Sequence, residues 1–125
     1  MTQRDQVYKC EICGNLLTIV HGADCSLVCC FDEMNLLEPN TVDASREKHL
    51  PVFKKTGNTL KVSVGRVFHP MEAEHYIETI SILSDKKLYR AYLSPGDEPE
   101  AVFEIGEKIR CVRAYCNLHG LWESK

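Results

Sequence analysis

The sequence predicts a mainly β protein: a small cysteine-rich unit over residues 1–38, followed by an antiparallel β-sandwich or barrel over residues 39–125. Three observations predict it. Short runs of alternating apolar and polar residues recur between turn signals in the second part. No stretch carries a long, capped 3.6-residue period. Five of the seven cysteines, Cys10, Cys13, Cys25, Cys29 and Cys30, crowd into the first 30 residues.

The cysteine-rich unit comes first. Cys10-Glu11-Ile12-Cys13-Gly14 has the C-x-x-C-G form, in which two thiolates reach one ion while the glycine lets the chain turn tightly. A second pair, Cys29-Cys30, follows after fifteen residues. Four thiolates suit tetrahedral zinc or iron, and a unit of under 40 residues needs such a staple. A redox dithiol, or cysteines serving as small buried hydrophobes, is the alternative. Strand alternation would point Cys29 and Cys30 to opposite sides, so both bind one ion only if the backbone bends there. Pro39 and Asn40 then punctuate the join.

Beyond the join, Thr59 to Val64 alternates with Leu60, Val62 and Val64 on one face. Lys87 to Leu93 places Tyr89, Ala91 and Leu93 together, and Ile77 to Leu83, Ala101 to Ile105 and Ile109 to Tyr115 are further strand candidates. Gly57-Asn58, Ser84-Asp85, Pro95-Gly96 and Gly106 mark turns between them. The Cys and Trp spacing of an antibody domain is absent, so any immunoglobulin likeness is one of architecture.

Composition narrows the function. In 125 residues, 44% hydrophobic content supports a real core, and a net charge of -3 leaves no electrostatic footprint for nucleic acid. No apolar run approaches the ~18 residues of a membrane span, and Met1 to Asp5 lacks the apolar region of a signal peptide, so the expected location is cytoplasmic. Thiols stay reduced there and an odd number cannot all pair, which turns attention to metal ligation or thiol chemistry. A second donor set is also present. Cys116 and His119 have knuckle spacing, and His49, His69 and His75 sit in patterned surroundings. His69 and His75 would lie roughly 20 Å apart in extended chain, so they share a metal only if the segment folds back, for which Pro70 offers a bend. Imidazoles with one thiolate suit iron, zinc or copper.

Together these residues resemble the desulfoferrodoxins, the two-iron class of superoxide reductases, over essentially the full length. The resemblance rests on C-x-x-C-G with a later Cys-Cys and on Thr41-Val42-Asp43-Ala44, Glu47-Lys48-His49-Leu50-Pro51, Val64-Gly65, His69-Pro70-Met71-Glu72, His75-Tyr76-Ile77 and Tyr115-Cys116-Asn117-Leu118-His119-Gly120. It implies a desulforedoxin-like unit whose Cys10, Cys13, Cys29 and Cys30 hold one iron. It also implies a seven-stranded immunoglobulin-like sandwich in which His49, His69, His75 and His119, with Cys116 as axial thiolate, hold a catalytic iron with an open position. The implied reaction is the one-electron reduction of superoxide to hydrogen peroxide in superoxide detoxification, with a rubredoxin-like donor and a homodimer. Lys48 would attract the anionic substrate and help deliver protons, and Glu47 is associated with closing the open position. Two features depart from the family pattern: Ala114, where relatives often have Glu, and Phe31-Asp32-Glu33 after the Cys-Cys pair, where relatives often have Gly and Pro.

Overall fold

The computed structural model describes residues 1–42 and 49–125. Two compact units divide the chain, Met1–Glu38 and Pro39–Lys125. Regular structure among the described residues is all β, and no helix is long and apolar enough to cross a membrane.

The first unit is small because its strands are short. β1 (Val7–Lys9) pairs antiparallel with β2 (Leu16–Thr18) and β5 (Asn35–Leu36), and β3 (Val28–Cys29) forms a hairpin with β4 (Asp32–Glu33). Its buried apolar cluster is Tyr8, Cys10 and Met34, with Ile19, Leu27 and Cys29 packed against it, and Val7 of β1 is buried as well. A core of that size supplies little hydrophobic stabilisation, so something else must cross-link the unit.

Among its described residues the second unit has seven strands. β6 (Pro51–Thr56), β7 (Thr59–Val64) and β10 (Glu100–Glu104) form one sheet in the order β10-β7-β6. β8 (Ile77–Ser84), β9 (Leu88–Tyr92), β11 (Ile109–Cys116) and β12 (Gly120–Ser124) form the other in the order β12-β11-β8-β9. Leu60, Val62 and Val64 of β7 point inward and are buried, as their alternation predicts, against Ile77, Ile80 and Ile82 of β8 and Val112, Ala114 and Cys116 of β11. Inner faces of two sheets sharing one core define a β-sandwich. The alternating runs read from sequence correspond to β7 through β11. β6 and β12 carry weaker signals: β6 is an edge strand with exposed Lys54 and Lys55, and β12 is five residues long.

Charge is matched across β11 and β12, where Arg113 Nε donates to Glu123 Oε1 at 2.9 Å on paired residues. Burial pushes the Glu123 carboxyl up, but the Arg113 guanidinium and the Cys111 thiol outweigh it and hold the carboxyl below its ordinary value. A carboxyl lowered by folding stabilises the native state above its unfolded pKa, and that contribution is lost as the pH falls through the folded value. Arg113→Met is therefore expected to move acid unfolding of the sandwich to higher pH. Trp122 fluorescence followed from about pH 7 to about pH 2 checks this, and an unchanged acid limb would show that the pair contributes nothing.

Candidate metal centres

In the first unit the four predicted thiols converge. Their sulfurs all lie within 4.8 Å of one another, with Cys13 Sγ 3.6 Å from Cys29 Sγ and Cys29 Sγ 3.9 Å from Cys30 Sγ. Four sulfurs around an ion at zinc- or iron-thiolate bond lengths stand roughly 3.8 Å apart, so the set fits a tetrahedral centre. Gly14 at φ +86° closes the first knuckle and donates its N–H to Cys10 O at 2.9 Å. The next amide back, Cys13 N–H, points at Cys10 Sγ at 3.5 Å, and this hydrogen bond is the main cause that lowers the Cys10 thiol to about 6. Cys30 goes the other way, pushed up to about 12 by Cys13, Cys29 and Cys10, whose sulfurs crowd it. Sulfurs that oppose one another's ionisation are relieved by a cation between them, which is the chemistry of a thiolate metal site.

The bend that adjacent Cys29 and Cys30 require is a turn. Cys29 pairs with Asp32, and the two residues between them, Cys30 at φ +53° and Phe31 at φ +64°, form a type I′ hairpin. The turn removes Cys30 from the strand and brings its sulfur to the same side as that of Cys29. Asn-Gly is the usual pair at these positions, and Phe31 occupies one of them with its side chain 101% exposed.

In the sandwich unit five further donors converge. His49, His69, His75, Cys116 and His119 each offer one ligand atom, all within 4.8 Å of one another. His49 Nε2 is 3.1 Å from His119 Nδ1, and Cys116 Sγ lies 3.6 Å from His69 Nε2 and 3.9 Å from His119 Nδ1. Around an ion with metal–nitrogen bonds of about 2.1 Å, neighbouring ligands are roughly 3 Å apart and opposite ones roughly 4.2 Å, so this set also fits a single ion. The fold-back between His69 and His75 is made by the tight turn Glu72–His75, in which Glu72 N–H donates to His75 O at 2.9 Å and His75 N–H returns to Glu72 O at 3.1 Å. Their ring centroids end 4.7 Å apart.

Local contacts aim the donors. A carbonyl only accepts, so the 2.7 Å contact of His69 Nδ1 with Pro70 O places the proton on Nδ1 and leaves Nε2 as the lone-pair donor toward the cluster. Cys116 and His119 belong to the β11–β12 hairpin, whose three-residue connection closes on Gly120 at φ +84°. Trp122 stacks on the His49 ring at 4.5 Å and 15°, and its Nε1–H donates to His119 O at 3.1 Å. One indole thus steadies two donors, a role that its sequence position did not signal. Cys116 is fully buried and His119 exposed, so the cluster has a dry thiolate side and a side open to water. Ala114 is fully buried in the same apolar cluster as Cys116, and it faces Ile80 and Trp122 across the sheet. Glu47 and Lys48 lie outside the described residues. Cys25 and Cys111 stand outside both groups; burial, with Glu123 alongside, pushes the Cys111 thiol up to about 11.

An all-β chain with a four-thiolate unit and a β-sandwich that gathers four imidazoles around one thiolate defines a class of two-centre non-haem metal protein. The desulfoferrodoxin family model matches residues 41–125, and the model of the desulfoferrodoxin N-terminal domain matches residues 2–37. The chain belongs to the desulfoferrodoxin family, and its nine clustered donors match the two iron sites of that family. It is 52% identical over 125 residues to the desulfoferrodoxin of Syntrophotalea carbinolica, covering 100% of this chain and 99% of that one. It is 35% identical over 102 residues to the superoxide reductase of Pyrococcus abyssi, covering 66% of this chain and 89% of that one. Among solved structures it resembles the superoxide reductase of Treponema pallidum, with a TM-score of 0.82 and 28% identity over 96% of this chain and 97% of that one.

The turn geometry yields a prediction. A non-glycine residue in the left-handed region costs roughly 1–2 kcal/mol, and the exposed Phe31 ring recovers none of that by burial. Phe31→Gly is expected to stabilise the Cys30 turn and slow metal release from the four-thiolate centre to a chelator. Release as fast as in the parent chain would show that the turn does not limit it.

Proposed function

We infer that this chain is a superoxide reductase, reducing superoxide to hydrogen peroxide with one electron and two protons. The observation that carries the reading is the convergence of His49, His69, His75, Cys116 and His119, in a chain that belongs to the desulfoferrodoxin family. These five donors would hold an iron, which would supply one-electron reducing chemistry at this site. Neutral imidazoles leave the positive charge of such a site uncancelled, while the Cys116 thiolate adds electron density from the dry side. Pro70 O holds His69 in the ligating tautomer, and Trp122 keeps His49 and His119 in place. Cys10, Cys13, Cys29 and Cys30 would hold the second iron. Of these, Cys13 and Cys30 are exposed, which gives a donor such as rubredoxin access for electron exchange.

Lys48 is assigned to attracting superoxide and supporting proton delivery, and Glu47 to closing the open position, on their place beside His49 in the sequence. A homodimer fits the exposed apolar residues of the first unit, including Val20, Val28 and Leu17. Cytoplasmic residence fits seven cysteines that form no disulfide.

Two measurements test this. His49→Ala and Cys116→Ser should each abolish superoxide reduction while the visible absorption of the four-thiolate centre persists; retained activity in either would overturn the site assignment. Lys48→Ile should slow superoxide capture and flatten its dependence on ionic strength. Pulse radiolysis reads both, and an unchanged rate would remove Lys48 from the mechanism.

A further inference from the structure

The β8–β11 ladder ends just where the ligands begin. Pairing runs from Tyr115↔Thr79 to Cys116↔Ile77 with a slip between them. His75 lies two residues before β8, and its own backbone N–H and C=O are already committed to Glu72 in the tight turn. Strand pairing with the hairpin that carries Cys116 and His119 therefore stops at Ile77, two residues short of His75.

Asn117 ties the hairpin to the turn that carries His75. Its Oδ1 accepts the Tyr76 N–H at 2.9 Å, its Nδ2 donates to Glu74 O at 2.9 Å, and its own backbone N–H donates to Tyr76 O at 3.2 Å. An N–H only donates and a carbonyl only accepts, so the two partners fix the orientation of the amide. The residues bound are those on either side of His75, more than 40 positions away in the chain. Asn117 itself sits between Cys116 and His119.

We propose that Asn117 is a positioning residue of the second metal centre: by bracketing His75 it sets the distance of that imidazole from Cys116 and His119. The proposal rests on the metal reading above. Removal of an outer partner of a metal ligand typically weakens metal binding 10- to 100-fold; Asn117 acts one step further out, through two side-chain hydrogen bonds to the backbone on either side of His75.

The test uses the full-length chain loaded with iron, as parent, Asn117→Ala and Asn117→Asp. Asn117→Ala is expected to speed release of the second iron to a chelator by about 10- to 100-fold and to alter the ferric EPR signal of that centre, with the four-thiolate spectrum unchanged. Asn117→Asp keeps the acceptor for Tyr76 N–H and loses the donor to Glu74 O, so it should fall between the two. In the metal-free chain, the Tyr76 amide should exchange with deuterium faster in Asn117→Ala than in Asn117→Asp. A lowered melting temperature with parent-like release and EPR in Asn117→Ala would reduce Asn117 to a general structural role and overturn the proposal. Should the alanine variant fail to fold, parent-like release and EPR in Asn117→Asp overturn it equally. A parent chain that takes up no iron at the five-donor cluster would defeat the metal reading itself, an outcome distinct from either.

Discussion

The antiparallel ladder between β8 and β11 is the interaction on which the sandwich unit depends. It joins the two central strands of the four-stranded sheet, and it supplies six of the ten residues of the buried cluster. Its register also decides where chemistry can occur. Pairing Cys116 with Ile77 puts the thiol at the end of β11 that adjoins the entrance to β8, so that His75, just upstream of β8, arrives beside it. A shift by one residue would turn Cys116 outward and separate the imidazoles from the only sulfur among them.

The first unit obeys a different constraint. Its few buried apolar residues, Val7, Tyr8, Cys10 and Met34, cannot hold five short strands by hydrophobic burial alone, and four sulfurs spaced to share one ion would provide the cross-link. Its turns are accordingly subordinated to the thiols. Cys30 and Phe31 adopt left-handed backbone that suits Asn and Gly far better, and the turn they make brings two consecutive cysteines to one side.

The parts of the molecule legible in the sequence are those set by local rules. C-x-x-C-G, C-x-x-H and the alternation of Leu60, Val62 and Val64 each express a spacing that physics reads directly. Other parts depend on tertiary placement. Pro70 signals a bend, yet the reversal that joins His69 to His75 is the Glu72–His75 turn, which has no glycine and no Asn-Gly pair to announce it. Phe31 masks the I′ turn by standing where glycine is expected. Edge strand β6, with its two lysines, reads as polar chain. Trp122 and Asn117 act on ligands through contacts that exist only once the sheets are assembled, so no pattern in the sequence marks them.

The two donor sets also differ in how much chain each must close. Cys10 to Cys30 encloses a short loop, whereas His49 and His119 meet across 70 positions and through both sheets. Closing a longer loop costs more entropy, and that cost is met before non-local contacts repay it, which slows folds that depend on them. The thiolate centre can therefore capture its ion from a locally ordered segment, while the imidazole centre has no complete donor set until the sandwich has closed. The two sites therefore place unequal demands on the chain: the thiolate set needs only a short segment to be in place, whereas the imidazole set needs the whole sandwich.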